Sequence, residues 1–425
     1  MKRFFVILIT AAFSVVTQAG IKDDIAYLAS DKLKGRVTGT AENLEVQSWL
    51  TQRLTELKVR PAGNSSKSSF NYPFANSYDF RSKEKIHGTN IMGIVYPQRN
   101  WTEEKPRVLI GAHYDHVAMC WKKFGADDDS ICNGAADNAA AVAVVLSIVQ
   151  NLAESIHSPV AIAFWDGEES GLLGSDAFLK EPSFDLNQLN AYINLDIIGL
   201  NLCAGLENHH MIIGSETGGT KLEKLVKETA DRESSKVTYH QLSYAFGHGR
   251  SDMSSFIRND VKVPILFFSD GDGPVYHSSS DEAKNINYDK VASIAEVIRK
   301  LSVQLSKMKT SDFGYHEPTI FIDKGTAIQT PLTKLFGTNH MLKVGFPVPT
   351  YSDLDVVIDL YDKLIQNADR NKLKTESVKK LKELQNSLKK IKAKGGKKLV
   401  GMDNYSLLEA AAIFTATTRE LTFIP

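Results

Sequence analysis

The chain has 425 residues, with 50 basic and 50 acidic side chains and so zero formal net charge; 43% of its residues are hydrophobic and 24% charged. That balance excludes the basic footprint of a nucleic-acid binder or of a protein held on an anionic membrane, and the composition is that of a globular chain rather than a disordered one. The length exceeds one usual core, so a large domain plus an appendage is expected.

Lys2 and Arg3 precede an apolar run from Phe4 to Val16, followed by Thr17-Gln18-Ala19. The run is shorter than the ~20 residues that span a bilayer. It reads as a signal peptide over residues 1–19, cleaved near Ala19, giving an exported product, periplasmic or secreted, with no membrane span in the mature chain. From Ile21 to about Pro61, Leu28, Leu33, Leu44, Val46, Leu50, Leu54 and Leu57 recur at helical spacings, broken around Gly35–Gly39.

Strands and helices then alternate. Arg107–Ala112, Val160–Trp165, Ala191–Asp196 and Val263–Phe268 are compact apolar runs that predict buried strands, and Asp137–Leu152, Leu172–Leu179, Lys221–Asp231 and Tyr288–Lys307 predict helices. The expected fold is α/β: a three-layer α/β/α sandwich with a mostly parallel central sheet, spanning residues 20–308. Residues 309–425 hold one strand-like stretch at Thr319–Ile322, a Pro-marked loop through 345–350, and three helical stretches, which together make a mainly helical C-terminal extension. Its lysine-dense middle stretch keeps Leu381, Leu384, Leu388 and Ile391 on one face, so a solvated basic face on a packing helix is expected. No catalytic motif falls in this region.

Five segments each set metal-liking side chains beside an apolar run: GAHYDH (111–116), GAADNAAA (134–141), FWDGEESGLLGS (164–175), INLDIIG (193–199) and VYHSSSD (275–281). Together they supply His113, Asp137, Glu168, Glu169, Asp196 and His277, a set able to hold two zinc-like ions and leave one carboxylate for proton transfer. Most follow strand C-termini, the edge at which open α/β sheets bind ligands. Asp115, two positions after His113, could orient that imidazole from its far nitrogen. Asp137 opens a helix, where an aspartate also serves as a plain N-cap. Glu168 and Glu169 also suit the positive end of a helix, but adjacent residues point apart, so one can bind metal while the other faces water. His209, His210, His240 and His248 lie outside these motifs and read as surface or loop histidines.

Three cysteines are present, Cys120, Cys132 and Cys203. Two readings stand side by side: a Cys120–Cys132 bridge in an oxidising compartment, or three buried thiols.

From about Leu28 to Leu301, through LASDKLKGRVTGTAENLEVQSWLTQRLTEL, GTNIMGIVYP and all five segments, the chain resembles the co-catalytic zinc aminopeptidases of peptidase family M28, the group that includes bacterial leucyl aminopeptidases and glutaminyl cyclases. The resemblance implies two zinc ions per chain, one on His113 and Asp196, the other on Glu169 and His277, with Asp137 bridging. Glu168 would be the general base acting on the bridging water, Tyr276 would help polarise the scissile carbonyl, and Arg250 would lie on the substrate side. It also implies a cis peptide at Asp137-Asn138, and peptides with a free N-terminus as substrates. Two departures stand out. Ala118–Asn133, with Trp121, Phe124 and the acidic run Asp127–Asp129, is an insertion, and Met253 stands where many relatives have histidine. The competing readings are a single-zinc glutaminyl cyclase and an inactive peptide-binding relative.

Overall fold

The computed structural model describes residues 20–64, 66–78, 85–98, 105–118, 120, 130–318, 320–321, 346–347, 352–395 and 402–421. The expected signal peptide, Trp121, Phe124, Asp127–Asp129 and most of the 345–350 loop lie outside these residues. The N-terminal helical pattern becomes α1 (residues 20–28) and α2 (Ala41–Glu56), with Thr40 capping α2 by accepting a bond from the Asn43 amide at 3.2 Å. Next come β1 (Arg60–Pro61), β2 (Asn71–Tyr78), β3 (Lys85–Val95), β4 (Val108–His113), α3 (Ala140–Leu152), β5 (Val160–Trp165), α4 (Leu173–Lys180) and β6 (Ala191–Leu195). They are followed by β7 (His209–Ile213), α5 (Gly219–Arg232), β8 (Thr238–Leu242), α6 (Met253–Arg258), β9 (Ile265–Ser269) and α7 (Tyr288–Lys307). A short antiparallel ribbon, β10 (Ile320–Phe321) with β11 (Phe346–Pro347), precedes α8 (Asp353–Gln366), α9 (Thr375–Ala393) and α10 (Met402–Glu420).

The sheet runs β1-β3-β5-β4-β6-β9-β7-β8, with β2 also on β3. Its centre, β5-β4-β6-β9, is parallel and consists of the four apolar runs legible in the sequence. The flanks turn antiparallel at β3/β5 and β7/β9, so the whole sheet is mixed. Strands β7 and β8 escape the apolar-run criterion because His209, His210, Thr238, His240 and Gln241 dilute them.

Side chains alternate across the sheet. Val108, Ile110 and Ala112 of β4 face a core shared with α1, α2, α3, α5 and α7. Leu109 of the same strand faces a second core with Phe178 of α4, Phe256 of α6, and Leu354, Leu381 and Leu407 of α8, α9 and α10. The C-terminal helices are thus part of the second outer layer, and α9 buries Leu381, Leu388 and Ile391 as its spacing predicts. The apolar Ala135–Leu152 segment is long enough to cross a membrane, but 83% of it is buried here, packed on β4 and α7 as a core helix. Cys120 and Cys132 form a disulfide, and Cys203 is free and buried.

Arg36 is buried completely and ties the N-terminal region to the loops after β4. Its Nε donates to the Tyr114 carbonyl at 2.7 Å, its Nη1 to Leu28 and Asn133 carbonyls at 2.9 and 2.6 Å, and its Nη2 to the Gly134 carbonyl at 2.8 Å. Burial pushes the guanidinium pKa down to about 10 despite Asp137 and Asp281, which favour the cation. Leaving buried carbonyls without donors costs about 1–3 kcal/mol each. Arg36→Met should therefore lower unfolding stability by more than about 3 kcal/mol in urea titration; an unchanged midpoint would mean that these bonds are not needed for stability.

Candidate metal centre

His113 ends β4, Asp196 directly follows β6, and Glu168 and Glu169 lie just past β5, so the parallel centre delivers them to one edge. Asp137 arrives from a tight turn, Ala135–Ala139, that leads into α3, and the Asp137–Asn138 peptide is cis. Gly134 opens this turn at φ +60, where a Cβ would come within 2.6 Å of the His116 ring. His277, on the loop beyond β9, has φ +49, and Ile197, next to Asp196, has φ +59; left-handed backbone at non-glycine residues clusters at sites that over-determine it.

These ends converge on Asp137. Its Oδ1 lies 3.3 Å from His113 Nε2, and its Oδ2 lies 3.2 Å from His277 Nε2. His113 Nε2 is also 3.2 Å from Asp196 Oδ1, and His277 Nε2 is 2.9 Å from Glu169 Oε1. One carboxylate therefore joins two groups, His113–Asp137–Asp196 and His116–Asp137–Glu169–His277, each compact enough to hold a cation.

His116 is the member that the motif reading left out. Its Nδ1 is 3.1 Å from Glu169 Oε1 and 3.9 Å from Asp137 Oδ1, and its ring stands edge-on to His277 at 5.4 Å. The residue is only 1% exposed, and neither ring nitrogen has a hydrogen-bond partner among the described residues. A buried imidazole whose ring nitrogens make no hydrogen bond costs free energy unless a Lewis acid takes up a ring lone pair. With imidazole and carboxylate donors all round, the residues fit zinc.

The titration behaviour follows from the same charge imbalance. Burial works against charging His113, but Asp196 and Glu168 overcome it and raise its pKa well above normal. Burial likewise opposes charging His277, yet Glu169 and Asp137 lift it to about 10. Burial and Asp137 resist ionisation of Glu169, but His277 and His116 bring it down to about 2. Half-buried Glu168 goes the other way: desolvation raises it well above the carboxylate range, and Asp196, Glu169 and Asp252 add to the rise against His113. Two neighbouring glutamates are thus driven apart in proton affinity.

A second tier of contacts holds these side chains in place. The nearest group to the far nitrogen of His113, Nδ1, is the Asp115 main-chain carbonyl at 3.1 Å; the Asp115 carboxylate lies 3.7 Å away. That carboxylate instead accepts from the Glu168 and Glu169 amides at 3.1 and 3.3 Å, so it orients the turn that carries both. Asp281 of VYHSSSD accepts from the Ala136 and Asp137 amides at 2.7 and 3.1 Å, tying the His277 loop to the Asp137 turn. The Asn138 amide group donates to the Leu195 carbonyl at 3.0 Å. Behind Asp196, Asp270 lies 2.7 Å from both His210 and Lys290 and accepts from the Gly199 and Leu200 amides at 2.6 and 2.8 Å.

Tyr276 stacks on His277 with ring centroids 3.9 Å apart, and burial together with Asp272 raises its hydroxyl pKa well above normal. Arg250 stands off to one side, partly exposed, and pairs with Asp272 at 3.1 Å. Met253 is fully buried in the second core.

The model of peptidase family M28 matches residues 90–302, half of the chain. The chain belongs to peptidase family M28. Among curated proteins, a probable leucine aminopeptidase of Arthroderma benhamiae is 25% identical over 205 residues, covering 46% of this chain and 51% of that protein. A vacuolar membrane protease of Candida dubliniensis is 26% identical over 253 residues, 57% of this chain and 24% of that one. The chain thus spans about half or less of the length of these relatives. Among solved structures, Porphyromonas gingivalis glutaminyl cyclase superposes with a TM-score of 0.55 at 18% identity, covering 67% of this chain and 96% of that one. A Zn-dependent exopeptidase from Parabacteroides distasonis does so with 0.51 at 16%, covering 67% and 97%. At these identities the likeness shows the shared fold.

The fold brings His113, Asp137, Glu169, Asp196 and His277 together, with Glu168 on the same turn as Glu169; what the motifs missed lay in tertiary contacts. His116 had a signal, as the last residue of GAHYDH, but its meaning depends on where Glu169 and His277 fall. The reading of His209, His210 and His240 as surface or loop residues is corrected: they sit on β7 and β8, His210 fully buried and His209 stacked on His240 at 4.9 Å. Burial pushes His209 and His240 down to about 3 and about 4, so they pair as neutral rings. His116→Ala should lower zinc retention during chelator dialysis by at least about tenfold; full retention would exclude His116 as a ligand.

Proposed function

We propose that the chain is an exported zinc aminopeptidase that releases N-terminal residues from peptides and binds two zinc ions. One ion would rest on His113 and Asp196 and the other on Glu169, His277 and His116, with Asp137 shared. The observation that carries this reading is the split Asp137 carboxylate, one oxygen toward His113 and the other toward His277. Zinc bound in such a site supplies a Lewis acid for the peptide carbonyl and makes water acidic enough to attack near neutral pH.

The chain's own residues supply the rest. Glu168, whose raised proton affinity sets it apart from Glu169, takes the proton of the attacking water and returns it to the leaving amine. Asp115, through the two amides it accepts, keeps Glu168 aimed and Glu169 turned to the imidazoles. Tyr276, retaining its proton because burial raises its pKa, can donate to the carbonyl oxygen as negative charge develops there.

The cyclase reading draws on the glutaminyl cyclase fold likeness and needs only one zinc. The completeness of both groups, with His116 added to the second, favours two ions and hydrolysis. Export is supported by the Phe4–Val16 run and by the Cys120–Cys132 pair, which suits an oxidising compartment. A mature protein that still begins at Met1 when recovered from the producing cells would count against export.

Mass spectrometry of products from mixed free-N-terminus peptides, glutamine starters included, tests the reaction. Stepwise loss of N-terminal residues is expected; loss of ammonia from glutamine starters alone would make it a cyclase. Glu168→Gln should keep its zinc and lose about 10²–10⁴-fold in turnover, the usual worth of a general base. Turnover near the parent level would end that assignment, and loss of zinc would move Glu168 into the ligand set.

A further inference from the structure

Residues 309–425 contain no catalytic motif and lie beyond the family match, yet their helices reach the metal centre. An apolar cavity of about 210 Å³ has Asp196 and Ile197 in its lining at the metal-centre side. That is more than ten times the ~15 Å³ that one water requires. From the sheet layer it is lined by Leu202, Ile213, Leu242 and Phe267. From the extension it is lined by Val357 and Leu360 of α8 and by Ala411, Ala412 and Phe414 of α10.

The extension is docked by buried polar bonds as well as by its core. Asp353 at the start of α8 is 1% exposed and accepts from the Ser243 amide and hydroxyl at 2.9 and 2.6 Å. The Asn371 side chain exchanges bonds with the Ala204 backbone at 2.9 and 3.1 Å. The Tyr361 hydroxyl donates to the Ala410 carbonyl at 2.7 Å, setting α10 against α8. At the far end of α10, Thr418 Oγ1 donates to the Asp272 carbonyl at 3.2 Å. Arg419 pairs with the Asp272 carboxylate and lies over the Tyr276 ring at 4.6 Å, and Tyr276 in turn stacks on His277.

We infer that the C-terminal helices complete the substrate site, with α8 and α10 walling an apolar pocket beside Asp196 that receives a large aliphatic or aromatic N-terminal side chain. This rests on the aminopeptidase reading for the direction of the substrate, and it gives the extension, which lies beyond the family match, a part in selecting the N-terminal residue. A substrate α-amine near the carboxylates of the metal centre places its side chain beside this apolar cavity, whose lining includes Asp196 and Ile197. Ala411 and Ala412 are the small residues of that wall, so their size sets its depth. Asp272, held between Arg250 and Arg419, fastens the rim and anchors the end of α10 beside Tyr276.

The test uses two non-hydrolysable amino alcohols with the same head group, L-leucinol and ethanolamine, titrated calorimetrically into the zinc-loaded full chain. Burying the isobutyl group should favour leucinol by roughly ten- to a hundredfold. Ala411→Trp and Ala412→Trp, which fill the cavity from the extension, should reduce that ratio toward about one. Zinc content and ethanolamine binding should stay at parent levels, showing that the variants are folded. A leucinol preference that survives both substitutions, or a parent chain that does not distinguish the two ligands, overturns the inference. A preference that is present and lost as expected, in a chain that hydrolyses no peptide, upholds the pocket and defeats the aminopeptidase reading alone.

Discussion

The constraint on which the structure depends is a concentration of carboxylates withdrawn from water around one shared residue. Asp137, Asp196, Glu169 and Glu168 crowd against His113, His116 and His277. Burying carboxylates costs several kcal/mol each unless positive charge faces them. The imidazoles answer part of that demand, which is why burial fails to hold His113 and His277 neutral. Divalent cations would answer it more completely, and the two oxygens of Asp137 face the two groups, one toward His113 and the other toward His277.

Such a cluster survives only if its loops cannot relax away from one another. Arg36 donates to the Leu28 carbonyl and to the Tyr114, Asn133, Gly134 and Asp137 carbonyls of the β4 and Asp137 loops, and Asp281 clamps the Asp137 turn to the His277 loop. Asp270, with His210 and Lys290, braces the turn after Asp196; burial alone would neutralise its carboxyl, but Lys290 first and His210 second hold its pKa below normal. The parallel centre of the sheet does the coarse positioning and these buried polar contacts do the fine positioning. On the other face, the second core runs without a break from β4 and β6 into α8–α10, so the extension reaches the rim of the metal centre as part of the same packed body.

Much of this was legible in the residues, for a definable reason. A strand buried on both faces must be a continuous apolar run, so VLIGA, AIAFW, AYINL and ILFF announced the parallel centre, and the polar residues just beyond them announced the site. The antiparallel flanks were less visible, because β7 and β8 interleave histidine, threonine and glutamine with their apolar residues. Their histidines read as loop residues until Asp270, 60 residues along, gave His210 its buried partner. Arg36 read as one residue in a glycine-marked turn; its role depends on carbonyls about 80–100 positions away.

The sequence by itself determined the local pattern: which side chains are of metal-binding type, that most of them follow apolar strands, and that two glutamates stand side by side just past one of those strands. These are local properties, set by residue type and by strand or helix period. Tertiary structure alone decided that Asp137 is shared between two groups, that His116 joins one of them, that the Asp115 carboxylate steadies the glutamate turn while its carbonyl faces His113, and that α8 and α10 wall the neighbouring pocket. Each of these depends on contacts between residues remote in the chain, and no local pattern records which distant groups folding will bring together.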